Sequence, residues 1–293
     1  MLEPAIIAFR LLQYLGAAIL LGSSLFFVYA LPGPGPWARR LVAGGAVLLA
    51  VASALAIGAQ ASLFAGSFAD GFTVGAMREV VAFMDLGKAA LARAVVAALA
   101  AILILVLPAG RASWLLAAAL GAAAAASLAW LGHGAAGEGG LGKIQLAGDI
   151  LHALAASAWI GALVCFAVLL FQPGRAPVGS LHRALVRFSG FGPAIVALLV
   201  VTGLVNAWIL VGSEHALDLW AIPYGRLLAA KLVLFLAMLA LAGLNRFRHT
   251  GTLLAEPEAR SALRLSIAAE TAAGLAILAL VAWLGTLAPP SAA

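Results

Sequence analysis

The sequence predicts an all-α polytopic membrane protein, a bundle of about eight transmembrane helices, and three observations carry that prediction. Of the 293 residues, 65% are hydrophobic and only 10% charged, and the mean hydropathy is +1.13. Repeated apolar runs reach or approach the ~20 residues that a helix needs to cross ~30 Å of hydrocarbon. Gly and Pro clusters punctuate these runs, and the short alternating segments of a membrane barrel do not occur. Such a composition excludes a soluble globular domain. The net charge of +6 is a topology signal in such a chain and gives no reason to expect nucleic acid. With Cys165 alone, there is no intrachain disulfide and no Cys-rich metal motif.

Taken in order, the first span reads as Ala5–Leu31. It lacks a basic n-region and an A-x-A cleavage pattern, so a retained helix is expected instead of a removed signal. Pro32-Gly33-Pro34-Gly35-Pro36 cannot continue it. After a second span at Leu41–Phe64 comes the longest loop, Ala65 to Lys88. There Met77, Val80, Val81 and Met84 recur at helical spacing among Arg78, Glu79 and Asp85, which predicts an amphipathic helix near 72–87 at the outer surface. Met77 and Met84 are seven residues apart and are expected to share a face. Their thioethers suit soft Cu(I), and packing explains the same stripe. Spans three and four read as Ala89–Leu107, ended by Pro108 and Gly110, and Trp114–Leu131. The remaining four read as Ile150–Phe171, Phe191–Val211, Tyr224–Leu244 and Leu263–Leu287, with breaks at Pro173, Pro177 and Pro289-Pro290. The chain thus divides into an N-terminal four-helix half, residues 1–135, and a C-terminal half, residues 136–293.

Ten of the 17 basic residues fall on one set of helix ends: Arg39, Arg40, Arg111, Arg175, Arg183, Arg187, Arg246, Arg248, Arg260 and Arg264. The other ends hold most of the acids. The positive-inside bias then puts both termini outside, together with His133, His152 and His215, and leaves His182 and His249 among the inner arginines.

The candidate functional centre is the hairpin from Trp130 to Gly161. His133 and His152 stand there at the facing mouths of two consecutive apolar helices. Histidine at a bilayer edge is costly, and imidazole is a common ligand for copper, zinc and haem iron. Asp149, one turn before His152, is expected to orient an imidazole. His215 lies in a loop with Glu214 and Asp218, where it is either a further ligand or a solvated side chain. His152, Trp159 and Phe166 fall on one helical face, so the histidine is expected above an aromatic wall.

Polar residues also recur inside the spans. Arg10 and Gln13 lie one turn apart on the first, and Arg10, Asn206 and Lys231 lie at similar depth below the histidines. Tyr224, Lys231, Met238 and Asn245 form a seven-residue stripe on the seventh span, and Glu270 is expected as its next polar step or as the partner of Lys231. A helix–helix seam joined by hydrogen bonds accounts for these residues, and so does a polar pathway.

An ordered set of motifs then becomes recognisable: Arg187-Phe188-Ser189, Thr202-Gly203-Leu204-Val205-Asn206-Ala207, Tyr224-Gly225-Arg226-Leu227-Leu228 with Lys231, Asn245-Arg246-Phe247-Arg248, Glu270, and Leu284-Gly285-Thr286-Leu287-Ala288-Pro289-Pro290. This set resembles the copper-resistance D (CopD/PcoD) family of bacterial inner-membrane proteins, with the characteristic domain at about 185–290. The Gly-His of the fourth span and the Leu-His…Trp-Ile-Gly of the fifth are similar to that family's upstream half. The resemblance implies a multi-pass inner-membrane protein that handles copper at the periplasmic face, alongside a soluble periplasmic copper-binding partner, with uptake as the usual role. Both termini are then periplasmic. The chain has four methionines, no Met-x-x-Met pair and no His-rich tail, which leaves the outer histidines as the ligands on offer.

Three functions compete. Copper uptake or transfer through an outer histidine site is the first reading, a transport or binding role and not an enzymatic one. In the second, His133 and His152 are axial ligands of a b-type haem in a redox protein. The third is a membrane scaffold that docks a periplasmic copper chaperone through the 65–88 segment. No Walker A loop occurs, so ATP-driven pumping is not expected.

Overall fold

The computed structural model describes residues 2–132, 139–172, 174–212, 219–253 and 257–292. Eight helices in it are long and apolar enough to span a bilayer. In chain order the helices are α1 (Leu2–Tyr29), α2 (Pro36–Ala65), the short α3 (Phe68–Gly71), α4 (Val74–Phe83), α5 (Asp85–Val106), α6 (Arg111–Leu131), α7 (Gly139–Phe171), α8 (Val178–Val211), α9 (Pro223–Thr252) and α10 (Pro257–Leu284). An even number of spans returns both chain ends to one face, and the opposite face carries most of the arginines.

Local chemistry sets the boundaries. Pro36 opens α2 where a missing N–H costs nothing, and Gly66 closes it at φ 77°, a left-handed conformation suited to glycine. Thr73 caps α4 by accepting from Ala76 N–H at 3.3 Å. Met84 is extended (φ −118°, ψ 131°) and separates α4 from α5. The amphipathic helix is therefore shorter than the expected 72–87, and Met77 and Met84 do not share one helix. Both nevertheless pack on the same small cluster of Ile57, Ala61, Val80 and Ala90. Helices α7 and α8 begin well before the expected Ile150 and Phe191. Apolar runs mark only the part that crosses hydrocarbon, whereas the first turns of α8 are amphipathic: Leu181, Ala184 and Leu185 are buried while Arg183 and Arg187 are exposed.

Helices α1 and α7 are the two central elements, each with 61% of its apolar window buried. They meet at Gly22 and Gly161, where a Cβ on Gly161 would stand 2.3 Å from the Ala18 carbonyl oxygen. This is the small-residue packing by which membrane helices bring their backbones together. The Ala18–Ser23 segment of α1 is a π-turn at this crossing, and Ser23 Oγ donates to the Gly161 carbonyl at 3.4 Å. Toward the arginine-rich face the core is aromatic: Phe26 packs edge-on against Phe166 at 5.0 Å, and Phe27 against Trp37 at 5.4 Å.

Candidate functional site

Toward the face with both chain ends, helices α1 and α6–α10 enclose a cavity of about 260 Å³. Its polar lining is Tyr14, Asp149, His152, Ser157, Asn206, Tyr224 and Lys231. Asp149 and His152 stand one turn apart on α7, and Thr202 and Asn206 stand one turn apart on α8. The antiparallel helices are joined rung by rung. Asn206 Nδ2 donates to Asp149 Oδ1 at 2.5 Å, and His152 Nδ1 lies 2.8 Å from Thr202 Oγ1.

The second contact fixes the imidazole. The single hydroxyl proton of Thr202 is donated to the Leu198 carbonyl at 2.6 Å, so Thr202 Oγ1 accepts from His152. Nδ1 therefore carries the proton, and the Nε2 lone pair is uncommitted among the described residues of the cavity wall. A neutral imidazole anchored through one nitrogen and open at the other is the form that binds a metal ion. Gly203 keeps the wall thin, since a Cβ there would meet His152 Cε1 at 3.9 Å. The anchor differs from the expectation: Thr202 orients His152, and Asp149 is engaged by Asn206.

A second cavity, about 390 Å³, lies toward the arginine-rich face between α7, α8, α9 and α10. Glu270, 2% exposed, is its polar centre. Trp159 Nε1 donates to Glu270 Oε1 at 2.9 Å and Asn245 Nδ2 to Oε2 at 3.1 Å. Asn245 begins a π-turn, Asn245–His249. Pro193, inside α8 and on the wall, has no N–H to offer the Ser189 carbonyl. Arg246 Nη1 fills that vacancy at 2.7 Å.

The structure brings Asp149, His152, Asn206, Tyr224 and Lys231 to one cavity, and Trp159, Asn245 and Glu270 to the other. The expected Lys231–Glu270 pair does not form, because Glu270 is held by Trp159 and Asn245. His133 and His215 lie outside the described residues. Met77 and Met84 lie apart from both cavities. Arg10 points at the end of α10, where its Nη1 fills the space beside Gly285. Gln13 instead joins Ser53 and Arg93. Among the described residues no three His, Cys, Asp or Glu side chains converge as a metal cage. The haem reading depends on the same two histidines and gains nothing from the described residues.

Sequence reasoning missed Thr202, Tyr14 and Arg246. For Thr202 a signal existed, since it lies one turn from Asn206 in the same motif. Arg93 was counted only as a basic residue, yet it is 1% exposed.

A model described as "Copper resistance protein D-like, N-terminal domain" matches residues 1–143, and one described as "Copper resistance protein D" matches residues 182–284. The chain is 34% identical over 308 aligned positions to copper resistance protein D of Pseudomonas syringae pv. tomato, covering 98% of this chain and 97% of that protein. It is 30% identical over 143 positions to the copper transport protein CutJ of Bacillus subtilis (strain 168), covering 48% of this chain and 25% of the relative. To the inner membrane protein YebZ of Escherichia coli (strain K12) it is 32% identical over 122 positions, covering 41% and 40%. No solved structure matches the chain. With the match to the Pseudomonas protein running nearly end to end, and with a family model on either side of the α7 histidine, this multi-pass inner-membrane chain belongs to the copper resistance protein D family.

Proposed function

We propose that the protein takes up copper from the periplasmic side of the inner membrane, with His152 as a ligand at the entrance. The observation that carries this reading is the anchored imidazole: Nδ1 tied to Thr202 and Nε2 uncommitted on a polar cavity wall. Asp149, on the same wall, supplies a carboxylate for the arriving cation. His133 and His215, which the sequence places on the same side of the membrane, are the further donors in this proposal. The distribution of arginines supports an orientation with this cavity and both termini toward the periplasm. Surrounding lipid covers the outward faces of the spans, and a periplasmic copper-binding protein is the donor that this orientation would accommodate.

The test is copper binding and uptake by the purified full-length protein in liposomes. His152→Ala removes the ligand and is expected to abolish both. Thr202→Val removes only the anchor, so copper affinity is expected to fall about 10- to 100-fold, the usual loss when a partner that orients a ligating histidine is removed. His249→Ala, at the arginine-rich face, is expected to change neither. A His152→Ala protein that binds and moves copper like the wild type would sink the proposal.

A further inference from the structure

The same four helices, α7–α10, line both cavities, and side chains between the two linings can be named. On α7, Ser157 lines the first cavity and Trp159 the second. On α9, Lys231 lines the first and Asn245 the second. Met238 lies seven residues from each, about 10 Å along the helix axis, and directly precedes Leu239 of the second cavity's wall. It is 3% exposed and belongs to neither lining. On α10 the corresponding position is Gly274, between Ile277 of the first cavity and Glu270 of the second. A Cβ on Gly274 would stand 2.5 Å from Ile160 Cδ1, 3.5 Å from Met238 Cε and 3.8 Å from Met238 Sδ. Ile160, Met238 and the bare backbone of Gly274 thus meet between the two linings, and among these three the thioether is the one donor atom.

Resting on the copper-uptake reading, we propose that Met238 is a relay ligand for Cu(I) between the His152 cavity and the Glu270 cavity, so that the ion crossing this step is monovalent and soft. The cost of moving an ion through an apolar partition rises with the square of its charge, and none of Ile160, Met238 and Gly274 carries charge to offset it. A divalent ion would leave the Asp149 carboxylate on one side and find no other among the described lining residues until Glu270. For Cu(I) the partition is passable, because a neutral thioether is a matched ligand for it. Methionine also has three rotatable side-chain bonds, so its sulfur can face either cavity in turn. Cys165, 0% exposed, lies in the core and lines neither cavity, and Met77 and Met84 pack elsewhere. Among the described residues Met238 is therefore the sulfur on this route.

The experiment compares wild type, Met238→Leu, Met238→Cys and His152→Ala in proteoliposomes. Cu(I) is held reduced by ascorbate outside, a Cu(I)-specific chelating dye is trapped inside, and Ag⁺ serves as a second soft monovalent probe. Met238→Leu keeps the volume of the partition and removes the sulfur. It is expected to lose Cu(I) and Ag⁺ uptake to the level of empty vesicles while still binding copper at equilibrium. Met238→Cys is expected to restore uptake. X-ray absorption of Cu(I)-loaded protein is expected to show a copper–sulfur shell in the wild type that Met238→Leu lacks. Uptake by Met238→Leu at the wild-type rate overturns the relay. So does failure of Met238→Cys to restore it, which makes the residue a packing element. Cu(II) movement without reductant as fast as that of Cu(I) overturns the charge assignment. A wild type that moves no copper overturns the uptake reading as well, whereas loss in His152→Ala with uptake kept in Met238→Leu overturns this inference alone.

Discussion

Each half of the bundle holds a polar cluster in apolar surroundings, and the two are built differently. In the N-terminal half, Arg93 donates from Nε to Ser53 Oγ at 3.2 Å and from Nη1 to Ser127 Oγ at 3.3 Å. Ser53 in turn donates to Gln13 Oε1 at 3.3 Å, and Gln13 Nε2 to the Phe9 carbonyl at 3.1 Å. Arg93, Ser53 and Gln13 are at most 1% exposed, and none of them lines either cavity. In the other cluster, Asp149, His152 and Lys231 face open volume on the α7–α10 side. Both clusters carry the cost of polarity in a membrane interior. Only the second leaves donor atoms facing space that an ion can enter. Burial of a charge is therefore not in itself the mark of a donor that an ion can reach; open volume beside the donor is.

The largest effect expected from this contrast is on stability, at Arg93. Arg93→Ala leaves a void and strips Ser53 and Ser127 of a partner, so the bundle is expected to lose about 3 kcal/mol. Arg93→Met keeps most of the volume without the charge and is expected to cost less than half as much. Reversible unfolding of the detergent-purified protein by sodium dodecyl sulfate measures both. The contrast between the clusters breaks if Arg93→Met is as stable as wild type yet moves no copper.

A smaller loss is expected where the two halves meet. Gly161→Ala places a methyl 2.3 Å from the Ala18 carbonyl oxygen and 2.5 Å from Gly22 Cα, and both of these are backbone atoms. The central helices must separate, at a cost of about 2 kcal/mol. The same unfolding assay reads it, and wild-type stability would mean that α1 and α7 are less tightly joined than the structure has them.

Much of the architecture was legible because hydropathy reports directly on which segments cross hydrocarbon. All eight spans are visible in the sequence, which also pairs Asp149 with His152 on one turn, Asn206 with Lys231 by depth, and Tyr224 with Lys231 on one helical face, without joining the three pairs. Pairing between helices was not legible, and Lys231 shows why. Asn245 on α9 bonds Glu270 on α10, which fixes the antiparallel register of the two helices. Fourteen residues before Asn245 is Lys231, and fourteen after Glu270 is Leu284, so these two stand level and line the same cavity. Lys231 is thereby separated from Glu270 by roughly 21 Å of helix. A single sequence carries no mark of that register. Thr202 is inconspicuous for a related reason: a threonine in an apolar helix reads as back-bonded to the carbonyl one turn earlier. That bond is present, and it is what turns the hydroxyl oxygen into an acceptor for His152.

The smallest effect is expected at the other methionines, and it sharpens the distinction between a donor beside a cavity and a donor without one. Met77 and Met84 lean on Val80, Ile57, Ala61 and Ala90 between α2, α4 and α5, and neither lines a cavity. Their thioethers are chemically the same as that of Met238, so any difference in role must come from position. Leucine has a similar volume, and a Leu-for-Met exchange in a packed site costs less than about 1.5 kcal/mol. Met77→Leu combined with Met84→Leu is therefore expected to leave copper uptake at the wild-type level with a slight change in unfolding midpoint, whereas the single Met238→Leu exchange stops uptake. The amphipathic helix would hold a copper site of its own if the double variant lost uptake or bound copper. Position beside a cavity would then no longer separate the working sulfurs of this protein from the packed ones.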